Sequence, residues 1–298
     1  MSGATESLLR WRNGFHLLPA EFYVANLDSK RLDEHDVLRV LAMLPAIFFG
    51  HGNPMNAIQT NAYTERWSEL GKTLPRPKAI VSISAHYYTS QTAVTISTNP
   101  RTIHDFGGFP RELFEVQYPA PGDPALARRV QQLLGPIPVA KDERWGLDHG
   151  TWSVLCHVYP QADIPIVQLS LNENEPASFH YEIGQRLAPL REEGVLIVGS
   201  GNVVHNLHAY AWGRHPVEPY DWTRRFEERV KELLSAGDHQ PLVNYEKLGR
   251  EALLAAPTPD HYLPLLYVIG AQTGADKVAY PVEGVDGGSI SMLAVRVG

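Results

Sequence analysis

The pattern of apolar and polar positions divides the chain into two stretches. In residues 29–44, SKRLDEHDVLRVLAML, apolar residues recur at helical spacing, at Leu32, Val37, Leu38, Val40 and Leu41. That spacing predicts one amphipathic helix, and residues 1–43 are expected to form an N-terminal extension around it. From Leu44 onward, short apolar runs alternate with longer segments of helical period. LPAIFFG (44–50), KAIVSISAH (78–86), TAVTIST (92–98), IPIVQLSL (164–171) and GVLIVGSGN (194–202) read as strands. DKVAYPVEG (276–284) and SISMLAVRV (289–297) close the chain as strands at a sheet edge. NAYTERWSELGKTL (61–74), ALARRVQQLLG (125–135), ASFHYEIGQRLAPLR (177–191) and YDWTRRFEERVKELLSAG (220–237) read as helices. So do VVHNLHAYAW (203–212), NYEKLGREALLAA (244–256) and PDHYLPLLYVIGAQTG (259–274). GLDHGTWSVLCHVY (146–159) reads as a turn and then a helix, with Asp148 as its cap. Strand–helix alternation of this kind argues for one α/β domain over residues 44–298.

Between two of these elements runs a Gly/Pro/aromatic stretch, PRTIHDFGGFPRELFEVQYPAPGDP (100–124). A loop of that length inside a domain is usually functional. No apolar run reaches the length of a membrane span, and the N-terminus lacks the pattern of a signal peptide. The expected location is the cytoplasm.

Composition sharpens the chemistry. The net charge is −7 and no Lys/Arg cluster stands out, so neither nucleic acid nor an anionic membrane is an expected partner. Cys156 is the single cysteine, which excludes a disulfide framework and a thiolate zinc site within one chain. Flanked by apolar residues, it is expected to be a buried, inert thiol. Against it stand 13 histidines, so any bound metal must be held by imidazole and carboxylate.

The histidines fall in an ordered way. His51 ends the first strand in AIFFGHGNPM, and His86 ends the second in VSISAHYY. Open α/β sheets collect ligands at such carboxyl ends. His205 lies just past the strand VLIVGSG, while His149 and His261 are expected to open helices in GLDHGTW and PTPDHYLPLL. Five imidazoles at element ends suit Fe(II), Zn or Mn with open coordination positions. His208 reads as an exposed neighbour of His205, and His16, His35, His215 and His239 read as surface residues. Other chemistries lack their motifs. GSGNVV has Val204 where a dinucleotide loop needs its third glycine, and VGSGN has Val198 where a nucleophile elbow at Ser200 needs its first. There is no H-E-x-x-H and no P-loop.

GHGNPMN, SAHYY, TIHDFGGFP, YPAPG, WGLDHGTW, VQLSL, GSGNVVHNL, APTPDHYLPLLY and PVEG…GSISML occur in one order along the chain. In this the sequence resembles the 4,5-DOPA extradiol dioxygenases, the LigB-type class III extradiol family related to protocatechuate 4,5-dioxygenase. The resemblance runs from about Met43 to the C-terminus; residues 1–42 lie outside it. It implies a single α/β domain with a central mixed sheet flanked by helices, and a non-haem Fe(II) centre. The resemblance also implies that Zn can occupy the centre of the isolated protein instead, inactive toward oxygen. It implies that a catechol of L-DOPA type is cleaved with O₂ to a ring-opened semialdehyde. Carried across by motif, His51, His86 and His261 resemble the metal ligands, and His205 resembles the acid–base histidine, although it is also a candidate fourth ligand. His149 resembles a second catalytic histidine of the pocket. His261 stands where the broader family has a glutamate, and the adjacent Asp260 is the alternative ligand. His104 and Asp105 are candidate substrate contacts, with loop packing the competing reading of that stretch. A homo-oligomer is possible. Two alternatives remain at this level: a zinc hydrolase using the same histidines, and a non-catalytic metal-binding protein.

Overall fold

In a computed structural model, residues 43–214 and 216–298 are described. Residues 29–42 of the expected amphipathic helix, residues 1–42 of the extension, and His16, His35 and His215 lie outside them.

Among the described residues twelve strands follow in chain order: β1 Ala46–Gly50, β2 Ala79–Ser84, β3 Tyr88–Thr89, β4 Ala93–Thr95, β5 Ala140–Asp142, β6 Ile166–Gln168, β7 Leu171–Asn172, β8 Val195–Gly201, β9 Val278–Val282, β10 Val285–Asp286, β11 Ile290–Ser291 and β12 Ala294–Val297. Among the described residues, the helices of eight or more residues are α1 Ala62–Thr73, α2 Pro124–Leu134, α3 His149–Val158, α4 Ala177–Leu187, α5 Asp221–Ala236 and α6 Leu263–Gly270. Six strands form a central mixed sheet in the order β6-β2-β8-β1-β12-β9. The first four run parallel, and β12 and β9 are antiparallel to their neighbours.

Both faces of the sheet are covered, which is why β1, β2 and β8 are buried at every position. Successive residues of a strand point to opposite faces. Phe48, Val81, Ile83 and Ile197 therefore join the core that includes Ile183, Leu187, Leu266 and Val268 of α4 and α6. Ile47, Phe49, Ile80 and Val198 join the opposite core, with Trp67 of α1 and Trp152 of α3. Caps fix the helix starts: Asn61 makes a capping box with Thr64 on α1, and Asp123 and Asp148 accept backbone N–H groups on α2 and α3.

Several expected elements differ. Residues 203–212 form bends, an isolated bridge and turns rather than a helix. There the backbone is claimed from outside: His205 N–H donates to Ala255 O, and Val204 O accepts from Ser291 N–H. The side-chain amides of Asn202 and Asn206 donate to the carbonyls of Ser291 and Leu254. The helix expected over 259–274 begins only at Leu263, so His261 sits in the preceding turn. Residues 244–256 are broken at Gly249, whose φ of 107° no helix accommodates. The run 164–171 divides into β6 and β7, and 289–297 into β11 and β12. β12 lies inside the sheet; β9 is the edge. The long loop 100–124 contains a helical turn, Arg111–Phe114. None of the helices among the described residues is long and apolar enough to cross a membrane.

Candidate metal centre and active site

Strand register brings the histidines together. Gly50 of β1 pairs with Gly201 of β8, and Ser84 of β2 pairs with Ser200. Three strands thus end level, and the residues that leave them share one edge of the sheet. His51 follows β1 directly, with its N–H on Gly201 O at 3.0 Å. His86 comes two residues after β2. The glycines around His51 have separate reasons. A Cβ on Gly50 would stand 2.6 Å from Ser291 O, and Gly52 has φ +60°. Gly201 makes room for the His261 turn, because a Cβ there would stand 2.1 Å from His261 O. That approach lets Asn202 N–H donate to His261 O at 2.8 Å.

The ligand nitrogens of His51, His86 and His261 lie within 4.8 Å of one another. Each ring uses its Nδ1 elsewhere. Ser200 Oγ–H donates to Gly150 O at 2.5 Å, so its oxygen accepts from His51 Nδ1–H at 3.0 Å. His86 Nδ1 faces Asp105 Oδ2 at 3.3 Å. His261 Nδ1 is held by Asp260 Oδ2. With Nδ1 donating, each neutral ring keeps a lone pair at Nε2. Those of His51 and His86 face each other at 3.1 Å. Two lone pairs at that distance repel unless a cation lies between them. Imidazole nitrogens about 2.1 Å from one ion and at a right angle to each other stand about 3 Å apart. The donor set therefore fits a divalent metal, and the oxygen partners at Nδ1 are what such ligands usually have.

Burial, then the neighbouring imidazoles, holds His51 and His86 well below the ordinary histidine value, so both are neutral donors. At Asp260, burial acts to raise the carboxyl, but the hydrogen bonds it accepts, that of His261 first, outweigh it and the net shift is downward. Asp105 shows the same balance with His149.

His205 and His149 complete the ring of imidazoles without joining the three donors. The His205 ring stacks on His261, with centroids 3.5 Å apart and planes 4° from parallel. Burial and then His261 lower it to about 2. His149 opens α3, as expected. Its Nδ1 lies 2.9 Å from Asp105 Oδ2, and its backbone N–H donates to Asp105 Oδ1 at 2.9 Å. Asp105 thus orients two imidazoles and is absent from the cavity wall. His104 is also absent from that wall: its Nε2 lies 3.0 Å from Val116 O, among Phe106, Phe114 and Trp152. The loop-packing reading describes its position.

All five site histidines line a cavity of about 270 Å³, walled on its apolar side by Phe106, Phe109 and Ile290. Asp286, Tyr210 and Trp212 also line it and were not singled out from the sequence. The sequence offers Ser200 only as a nucleophile; its placement at the end of a buried strand, level with His51, is the signal that marks it as a partner. His208 is exposed, as expected. His239 is not a plain surface residue, since it is half-buried between Tyr181 and Gln272. Cys156 is half-buried, and burial pushes its thiol up to about 12.

Residues 45–290 match the family of the catalytic LigB subunit of aromatic ring-opening dioxygenase, and the chain belongs to that family. It is an extradiol ring-cleavage dioxygenase, which sets aside the hydrolase and scaffold alternatives, and its substrates are a small aromatic molecule and O₂. A 4,5-DOPA dioxygenase extradiol of Escherichia coli (strain K12) is 52% identical over 88% of this chain and 98% of its own. One from Beta vulgaris is 39% identical over 82% of this chain and 92% of its own. The crystal structure of an uncharacterized protein from Escherichia coli K12 superposes with TM-score 0.75 at 49% identity. It covers 86% of this chain and 100% of that one, and has the same α/β architecture.

Proposed function

We propose that residues 44–298 form the catalytic domain of a non-haem Fe(II)-dependent enzyme that cleaves a catechol of L-DOPA type to a ring-opened semialdehyde. His51, His86 and His261 are its metal ligands. The observation that carries this reading is the commitment of all three Nδ1 atoms to oxygen partners, with the Nε2 atoms of His51 and His86 turned on one another. Fe(II) supplies the redox chemistry that joins a catechol to O₂, a task suited to a centre of neutral imidazoles with open positions.

The protein's own groups do the rest. His205, stacked beside a ligand on the cavity wall, accepts a proton from a catechol hydroxyl and returns it to the product. His149 keeps its Nδ1 proton against Asp105, which leaves Nε2 as the nitrogen for the second oxygen or the developing charge. Phe106 and Phe109 form an apolar wall for the aromatic ring and exclude water from it. His104 and Asp105 act through packing and orientation in this scheme, without touching substrate. Both atoms of O₂ enter the product as one ring C–C bond breaks.

Anaerobic reconstitution with Fe(II), followed by oxygen uptake with L-DOPA, protocatechuate and catechol, tests the proposal. Stoichiometric O₂ consumption with a yellow, ring-opened product from L-DOPA is expected. Failure of every catechol to consume O₂ despite confirmed iron refutes it. The relatives named as 4,5-DOPA dioxygenases support the choice of L-DOPA.

A further inference from the structure

We infer that Leu207 and Trp212 form an apolar platform at the cavity mouth for the substituent of a 4-substituted catechol, an inference that rests on the ring-cleavage reading above. Among the described residues five large apolar side chains are exposed: Ile58, Phe114, Leu207, Trp212 and Leu253. Leu207, 49% exposed, and Trp212, 66% exposed, are the two that line the cavity of the site histidines. Single apolar side chains scattered on a surface need no explanation; two on the rim of one binding cavity are a recognition feature.

Burial orients the substrate. His51, His149 and His261 are buried and form the floor, while the two apolar side chains stand at the open rim. The hydroxyls of a catechol must reach the imidazoles, so a substituent on the far side of the ring points toward the mouth and meets Leu207 and Trp212. The backbone that displays them is tied down. Asn206 N–H donates to Ser289 O at 3.2 Å, Ser289 Oγ–H donates to Asn206 O at 2.8 Å, and Ala211 N–H donates to Gly287 O at 3.0 Å. Leu207 and Trp212 each follow one of these anchored residues. The Tyr210 ring backs the indole, with centroids 4.6 Å apart. A substituent laid on this platform takes its own apolar surface and that of the rim out of water together. The favoured substrates are therefore catechols whose 4-substituent carries apolar surface, the class of which the L-DOPA side-chain carbons are the short case.

An uncharged series tests this: catechol and its 4-methyl, 4-ethyl, 4-propyl and 4-butyl derivatives, bound to the Fe(II)-loaded enzyme under anaerobic conditions and followed by calorimetry. Affinity should rise about 2- to 4-fold per added carbon, the effect of a methylene partly or wholly removed from water. In air, the rise in kcat/KM along the series should come from KM. Trp212→Ala and Leu207→Ala should each flatten the series, and Trp212→Phe, which keeps an aromatic face, should retain most of the slope. Leu253→Ala removes an exposed leucine outside the cavity and should leave the slope as in the wild type. Affinity independent of chain length in the wild type overturns the inference, and so does a slope unchanged in both Trp212→Ala and Leu207→Ala. A change of sedimentation coefficient in Trp212→Ala with the slope intact would instead make the rim a contact between copies of the chain, and also overturns it. If no catechol consumes O₂, the ring-cleavage reading fails on its own, and the anaerobic slope still decides this one.

Discussion

The rings of His205 and His261 lie face to face, with centroids 3.5 Å apart and planes 4° from parallel. His205 stands beside the ligand His261 but outside the three nitrogens that converge within 4.8 Å of one another. His205→Ala should therefore keep its metal and lose turnover by about 10²- to 10⁴-fold, the usual contribution of an acid–base group. Metal analysis of the purified variant beside its kcat checks this. Loss of the metal together with activity would make His205 a ligand.

Asp260 and His261 share a turn, and the carboxylate holds the imidazole by Nδ1. This makes the aspartate an orienting group and the histidine the ligand. His261→Ala should lose most of its metal. Asp260→Asn should weaken metal binding about 10- to 100-fold, as the loss of such a partner generally does. Chelator competition gives both affinities; a larger loss in Asp260→Asn than in His261→Ala would reverse the two roles.

Asp105 serves two rings, His149 at 2.9 Å and His86 at 3.3 Å. Asp105→Asn leaves one oxygen to accept and introduces an amide that donates. Both kcat and metal affinity should fall. A pure substrate contact would instead raise KM alone, which steady-state kinetics on the reconstituted variant distinguishes.

Far from the cavity, His180 of α4 is fully buried, with its Nδ1 2.9 Å from Tyr267 Oη. Burial lowers it from 6.5 to about 4. The unfolded chain therefore takes up this proton first as pH falls. Its contribution is intact above pH 6.5, is lost between 6.5 and 4, and changes no further below that. The full loss is about 3 kcal/mol, at 1.36 kcal/mol per unit. His180→Gln should flatten the fall in urea midpoint between pH 7 and pH 4 relative to wild type. Parallel curves would show that His180 is not the titrating group.

Cys156 is half-buried, but its thiol is pushed up to about 12. Little thiolate exists at neutral pH. Reaction with a disulfide reagent at pH 7.5 should be far slower in the native protein than in urea. Comparable rates would mean that the site opens readily.

Much of this could be read along the chain, because it is written in local pattern. Runs dominated by apolar residues marked β1, β2 and β8, since strands covered on both faces need no alternation. Asp123 and Asp148 marked helix starts. Gly50 and Gly52 marked His51 as a special position, and the family motifs carried the site histidines. Where the sequence reading failed, distant segments compete for the same backbone. VVHNLHAYAW has helical spacing, yet Ala255, Ser289 and Ser291 take its hydrogen bonds, and such partners are not written in its own residues. His261 was expected inside a helix, but Gly201 and Asn202 hold its carbonyl in a turn. Which oxygen fixes each imidazole was equally out of reach, because Ser200 and His51 are 149 positions apart. Residue types, helix caps and apolar runs are local properties that stand in the sequence itself. The level ends of three parallel strands, and with them the meeting of five imidazoles, arise only when the sheet closes its register.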